Sequence, residues 1–248
     1  MQQGYTTEEW QAEYHGTLDE LRSGACVITE QQEFMLQQKL YSKFARQFDE
    51  FASPVGYEKA QGCVILAKEI SEMIQNKTIK VLDFGAGTGL VAEELNKVGF
   101  TNVDALDCSV DLLSVASEKG VYQHHIVTTG DPSDTSNIPD NTYDLICSAG
   151  TFFLTKTHPG GKFFREMARI TKPGGMIVIV TSSLFLEQDY HQWDLIDALV
   201  KEGELKIRPI KRVPEYKSNS EVHGIAPDAA VMCYDIVKQV VVDREDIV

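Results

Sequence analysis

The chain has 248 residues, 43% hydrophobic and 24% charged, and its 23 basic against 37 acidic side chains leave a net charge of −14. That apolar fraction suits a folded domain and argues against wholesale disorder. So acidic a surface repels phosphate backbones, and the densest basic stretch, Lys206-Ile-Arg208-Pro-Ile-Lys211-Arg212, alternates with apolar residues as a strand does, so nucleic acid is not an expected partner.

The first ten residues, Met1 to Trp10, have neither a basic segment nor an apolar core, so they do not read as a signal peptide. No apolar run approaches the roughly 18 residues that cross a bilayer. The five cysteines form no C-x-x-C pair, which predicts neither a zinc site nor a disulfide frame. The expectation is a cytoplasmic protein without a membrane partner or a metal, acting as a monomer or homodimer.

Along the chain, residues 7–22 are polar and compatible with helix. Residues 31–51 carry Phe34, Leu36, Leu40, Phe44 and Phe48 at helical spacing, and Pro54 precedes a third helix over 55–74 with Val64, Ala67, Ile70 and Ile74 on one face. From residue 79 short apolar strands, 79–84, 103–106, 126–128, 143–147 and 176–181, alternate with helices near 89–98, 110–119, 161–171 and 187–202. Buried strands alternating with helices predict a parallel sheet covered on both faces. Two last strands, 205–213 and 230–241, follow without an intervening helix and are expected to pair antiparallel at one edge.

The strongest chemical signal is Val81-Leu-Asp83-Phe-Gly85-Ala86-Gly87-Thr88-Gly89-Leu90. A strand runs into three alternate glycines and then a helix, so a ligand can approach the backbone beside a positive helix N-terminus. The dinucleotide fingerprint is G-x-G-x-x-G; here the third glycine comes one position early, which argues against NAD or FAD. No Lys-Ser/Thr follows, so this is not a nucleoside-triphosphate loop. Asp83, near the strand end, could accept hydrogen bonds from a ligand ammonium, directly or through water. Asp107, about 20 residues beyond the glycines at the end of the next strand, is positioned to hold ribose hydroxyls.

In this order the motifs resemble class I methyltransferases that use S-adenosylmethionine (SAM). Asp83 to Gly89 matches their first motif and Asp107, followed by Cys108, their ribose position. Thr129-Gly-Asp131-Pro132 with Ile138-Pro-Asp-Asn-Thr-Tyr143-Asp144 is similar to the stretch that faces adenine, and Thr171-Lys-Pro-Gly-Gly175 to the turn before strand five. The resemblance covers residues 79–182. It implies a three-layer α/β/α sandwich with a seven-stranded, mostly parallel sheet in the order 3-2-1-4-5-7-6, strand 7 antiparallel. It also implies a helical lid in residues 1–54 ahead of the domain 55–248. Leu40-Tyr41-Ser-Lys-Phe-Ala-Arg-Gln-Phe48-Asp49 is similar to a Y-D-x-W-A-x-x-Y-D lid, with Ser42 in place of its first acid and Phe48 in place of its second tyrosine. Gly87–Leu95, Gly120-Val-Tyr-Gln123 and Thr171–Gly175 resemble the Williams–Beuren-region methyltransferase-like proteins.

The resemblance implies SAM as cofactor, S-adenosylhomocysteine as product, and cofactor contacts from Tyr41, Phe48, Asp83, Gly85, Ala86, Gly87, Thr88, Gly89, Asp107, Cys108, Asp131, Pro132, Ser148 and Ala149. A small-molecule acceptor is expected to approach near Cys147-Ser148-Ala149-Gly-Thr151, beyond strand four. Without an Asn/Asp-Pro-Pro-Tyr/Phe signature there, methylation of base or glutamine amino groups is not expected. No catalytic base is assigned: His158, Tyr190 and His191 are the candidates, with His124, His125 and His223 also in reach of that role, although His124 and His125 start a strand and read as packing or solvent-facing residues. A protein acceptor and a non-catalytic SAM-binding regulator are the alternatives.

Overall fold

Strands that read as uninterrupted apolar runs lie where both faces of a sheet are covered, and they assemble here around Val81–Phe84 (β1), whose four residues are all buried. A computed structural model describes residues 30–49, 58–130, 135, 137–152, 163–183, 186, 193–214 and 228–238. Ahead of β1 come two helices, Glu30–Phe44 (α1) and Glu58–Met73 (α2). Leu90–Lys97 (α3), Val103–Asp107 (β2), Val110–Lys119 (α4) and His125–Val127 (β3) follow β1. Then come Tyr143–Ala149 (β4), Phe164–Ile170 (α5), Thr171–Ser182 (β5) and Trp193–Lys201 (α6). Leu205–Ile207 (β6), Lys211–Val213 (β7) and Ala229–Ile236 (β8) complete the sheet.

The sheet order is β3-β2-β1-β4-β5-β8-β6, with β7 also on β8. β1 to β5 pair in parallel, and β8 runs antiparallel to β5, β6 and β7. This is the expected three-layer architecture, with eight strands among the described residues where seven were expected. The predicted strand 205–213 is divided because Pro209 offers no amide hydrogen to β8. Arg208 donates its N–H to the Cys233 carbonyl at 2.9 Å, and pairing resumes at Lys211.

Alternation along β1 splits the core in two. Val81 joins Cys63, Leu66, Ala67 and Ile70 of α2 with Val91 and Leu95 of α3, while Leu82 and Phe84 face Phe164, Met167 and Ile170 of α5. The buried stripe of α2 therefore starts at Cys63, and Val64, predicted on the core face, is 51% exposed. The helix predicted over 31–51 ends at Phe44; the chain then tightens into i→i−3 bonds, Gln47 N–H to the Phe44 carbonyl and Phe48 N–H to that of Ala45. β5 begins at Thr171, five residues before the predicted start, through an irregular pairing of Thr171 with Tyr143. No helix among the described residues is long and apolar enough to cross a membrane. The predicted helix 7–22 lies outside the described residues.

Candidate cofactor site

Every strand of the parallel part delivers its C-terminal end to the same edge, where ligands of open α/β sheets bind. The loop from β1 to α3 is shaped there by backbone chemistry. The amides of Gly85 and Ala86 both donate to the Leu106 carbonyl of β2, at 2.8 and 3.0 Å, and Gly85, Gly87 and Gly89 have φ of 79°, 55° and 94°. A β-carbon on Gly85 would overlap the Thr151 side chain, 2.1 Å from its Oγ1. At Gly87 the same atom would meet nothing within 4 Å among the described residues, which leaves this glycine open at the loop tip on their side. Gly89 caps α3 in a left-handed conformation without a side-chain hydrogen bond to the helix. The first amides of a helix have no partner within the helix itself, so this end suits an anion or a ligand carbonyl.

Two carboxylates flank this loop in different environments. Asp107 ends β2: its Oδ2 accepts the Gly87 amide and its Oδ1 that of Ser109, both at 2.8 Å. Through these two bonds Asp107 holds the loop tip against the end of β2. Asp83 lies between Ala105 of β2 and Cys147 of β4 and is fully buried. Its Oδ2 accepts a hydrogen bond from the Tyr122 hydroxyl at 2.6 Å, and its Oδ1 has no hydrogen-bond partner among the described residues. Burial pushes the Asp83 carboxyl up to about 7; the Tyr122 hydrogen bond opposes this, and the nearby Asp107 charge adds to it. Burial raises the Cys108 thiol to about 12, so it is a neutral neighbour, and its sulfur accepts from Gln38 Nε2 at 3.2 Å.

On the β4 side Ser148 is buried and its hydroxyl donates to the Phe84 carbonyl at 2.7 Å, bracing the strand end that leads to Ala149. The N-terminal segment docks beside these groups. Tyr41 and Phe48 meet edge to face at 6.1 Å, and with Ala45 they pack against Leu112 and Val115 of α4. Ser42 donates to Asp111, and Arg46 forms a two-pronged pair with Glu118 at 2.7 and 3.0 Å. Asp49 reaches furthest: one oxygen accepts the hydroxyl of buried Thr88 at 2.5 Å, and the other pairs with Lys119 Nζ at 2.5 Å, which also pairs with Glu93 at 2.8 Å.

Tyr41, Phe48, Asp83, the loop 85–89, Asp107, Cys108, Ser148 and Ala149 thus come together around one end of the sheet. Asp131, Pro132, His158, Tyr190, His191 and His223 lie outside the described residues. His124 pairs with Asp104 at 2.8 Å toward the other end of β2, and His125 lies edge-on to Tyr122 at 5.6 Å. Tyr122, Asp49 and Lys119 were not singled out in the sequence; for Asp49 the signal was its place at the end of the lid-like segment.

An α/β sandwich with a G-x-G-x-G turn, one acid before it and one at the next strand end offers a place for a nucleoside ligand at this edge of the sheet. Residues 82–179 match the family described as "Methyltransferase domain". The chain is 27% identical over 218 residues to a malonyl-(acyl-carrier protein) O-methyltransferase of a Marinomonas species, covering 79% of this chain and 74% of that protein. It is 39% identical over 107 residues to a demethylmenaquinone methyltransferase of Corynebacterium urealyticum, covering 42% of each. In several alignments the chain spans about half the length of the curated relatives it matches. Among solved structures it superposes on a chain described as a SAM-dependent methyltransferase from Methanococcus maripaludis, with TM-score 0.54, 20% identity and coverage of 81% and 95%. Residues 82–179 are thus similar to a methyltransferase domain, and the sheet around them has the fold of a chain described as SAM-dependent.

Proposed function

We propose that the protein transfers the methyl group of SAM to a small-molecule acceptor that approaches beyond β4. The observation that carries this reading is the unpartnered, buried Oδ1 of Asp83 beside a loop whose middle glycine faces open space. An ammonium suits the first and an approaching ribose or amino-acid tail the second. In this reading Asp83 holds the cofactor's ammonium, directly or through water, Asp107 the ribose hydroxyls, and the loop 85–89 the tail between them. The name of the demethylmenaquinone methyltransferase supports a small acceptor, and that of the malonyl-(acyl-carrier protein) O-methyltransferase a small acyl group held on a carrier protein.

The bound cofactor supplies an activated methyl group whose in-line displacement asks little of side chains. Holding the reactants in line is worth up to about 7–11 kcal/mol, and a general base adds about 10²–10⁴-fold only where the nucleophile must lose a proton. The residues described here accordingly bind and orient: Asp107 and the Leu106 carbonyl set the loop, Ser148 sets the β4 end, and Asp49 ties the N-terminal segment over Thr88.

Titration calorimetry is expected to show SAM and S-adenosylhomocysteine binding and no NAD binding, and NAD binding without SAM binding overturns the reading. Asp107→Ala removes the ribose acceptor and the anchor of the Gly87 amide together. Hydrogen bonds to a charged group are worth about 1.5–3 kcal/mol each, so affinity should fall about 100-fold or more. Release of labelled methyl into a metabolite extract supports the small acceptor, whereas label only in protein favours a protein acceptor.

In this reading residues 1–54 are the lid segment of the domain 55–248, and among the described residues Asp49 latches it to Thr88 and Lys119. Asp49→Ala should weaken S-adenosylhomocysteine binding by about 3–10-fold, in keeping with a partly buried ion pair and one hydrogen bond. Limited proteolysis should show faster cleavage within residues 30–49. Unchanged affinity with unchanged cleavage would mean that the latch does not close on the cofactor.

A further inference from the structure

We propose that Tyr122 is a positioning residue for the cofactor's amino-acid tail: its hydroxyl holds one oxygen of Asp83 so that the other is kept for the ammonium, and its ring supports the third glycine of the loop. This inference rests on the cofactor reading above and assigns a residue outside the glycine turn and the two flanking acids.

Three independent features meet at this side chain. Its hydroxyl donates to Asp83 Oδ2 at 2.6 Å, which leaves Oδ1 unpartnered among the described residues. Tyr122 is itself buried, so no solvent competes for that bond. A β-carbon at Gly89 would stand 3.2 Å from Tyr122 Cε2, which places the ring directly against the start of α3. One residue therefore touches both walls of the tail site, the acid from β1 and the backbone that turns into α3.

The arrangement is built for one protonation pattern. Burial and the adjacent Asp83 charge hold the Tyr122 hydroxyl well above its ordinary range, so it is a permanent donor. The other groups facing the pair are Asp107, which disfavours a second negative charge nearby, and the thiols of Cys147 and Cys63, of which Cys147 is pushed well up by burial. Among these only the Tyr122 hydroxyl donates to Asp83 and favours its ionised form. Without it Asp83 would hold its proton to higher pH and would offer the ammonium a neutral carboxyl.

The test compares two probes in the full chain, S-adenosylhomocysteine, which carries the ammonium, and methylthioadenosine, which lacks the amino-acid tail. Tyr122→Phe keeps the ring under Gly89 and removes only the hydroxyl. The expected result is about a 10-fold loss for S-adenosylhomocysteine at neutral pH with methylthioadenosine unchanged. In the wild type, affinity for the homocysteine compound should rise as pH passes about 7, and in the variant that rise should move to higher pH. In the Asp83→Asn background, which cannot ionise, the same Tyr122→Phe change should have little effect. Equal loss for both probes, or no change in the pH profile, overturns the positioning role. A wild-type chain that binds neither probe overturns the cofactor reading itself, a failure distinguishable from that of Tyr122 alone.

Discussion

Between pH 5 and pH 8 the unliganded wild-type chain should lose about 2–3 kcal/mol of stability relative to Asp83→Asn. The cause is the buried carboxyl at the end of β1, pushed from 3.8 up to about 7 chiefly by desolvation. A carboxyl whose folded value lies above its unfolded one binds its proton more tightly in the native state. Its stabilising contribution is complete below about pH 4, shrinks as pH rises toward 7, and is gone above it. Each pH unit in that window is worth about 1.4 kcal/mol, and about two units of it separate pH 5 from pH 7.

Asparagine cannot ionise, and the cost of its buried amide is the same at every pH. The difference between the two proteins therefore isolates this one group. Asp144 and Glu166, held below their ordinary values by Lys172 and by Arg169 with Thr135, work in the opposite sense and lose stability as pH falls. Their contributions are common to both proteins and cancel. Urea unfolding at several pH values checks the expectation, and a difference that stays flat from pH 5 to pH 8 would show that Asp83 ionises as freely as an exposed carboxylate. Asp83→Asn should also bind S-adenosylhomocysteine more weakly above pH 7, because a neutral amide does not attract the ammonium. In the proposed reading, the group that makes the empty protein less stable at neutral pH is also the charge partner of the ligand's ammonium.

Which parts of this were legible in the sequence follows from range. The strand-turn-helix at 81–97 and the acid at 107 are local patterns, since glycine spacing, a strand end and a helix start all lie within a few residues of one another. Alternating strands and helices predicted a parallel covered sheet, while its strand order came only with the family resemblance that the motifs carry. The support of Asp83 is of another kind. Tyr122 lies 39 positions further on and arrives only because β2, α4 and the turn before β3 carry it back under the loop. Asp49 and Thr88 are likewise 39 positions apart, joined by the docking of the N-terminal segment on α4. The error at Val64 had a local cause, because 63, 66, 67 and 70 satisfy helical spacing as well as 64, 67, 70 and 74 do. Which of the two stripes is buried depends on the sheet beneath.

Alanine at Gly85 and alanine at Gly87 are expected to fail in opposite ways, although both add one methyl group to one loop at a left-handed backbone. At Gly85 the new carbon would stand 2.1, 2.4 and 2.7 Å from Oγ1, Cγ2 and Cβ of Thr151. Thr151 cannot simply turn aside, because its hydroxyl binds the Phe84 and Gly85 carbonyls at 3.3 and 3.2 Å. Overpacking of about 1–3 kcal/mol adds to about 1–2 kcal/mol for a non-glycine residue at φ 79°, so Gly85→Ala should lose about 3 kcal/mol or more in urea unfolding, and cofactor binding with it. At Gly87 no atom of the described residues lies within 4 Å of the added carbon and φ is 55°, so among them only the backbone cost of about 1–2 kcal/mol applies. The amide of residue 87 still reaches Asp107, and the loop keeps its shape. The methyl group then occupies the open space into which the cofactor must come, and affinity for S-adenosylhomocysteine should fall by at least about 30-fold while the fold survives. Wild-type affinity in Gly87→Ala would mean that the ligand does not pass over this glycine. The Asp83 and Asp107 assignments would then lose the surface that connects them, because the open face of residue 87 is the stretch of loop a tail must cross to reach from one acid to the other.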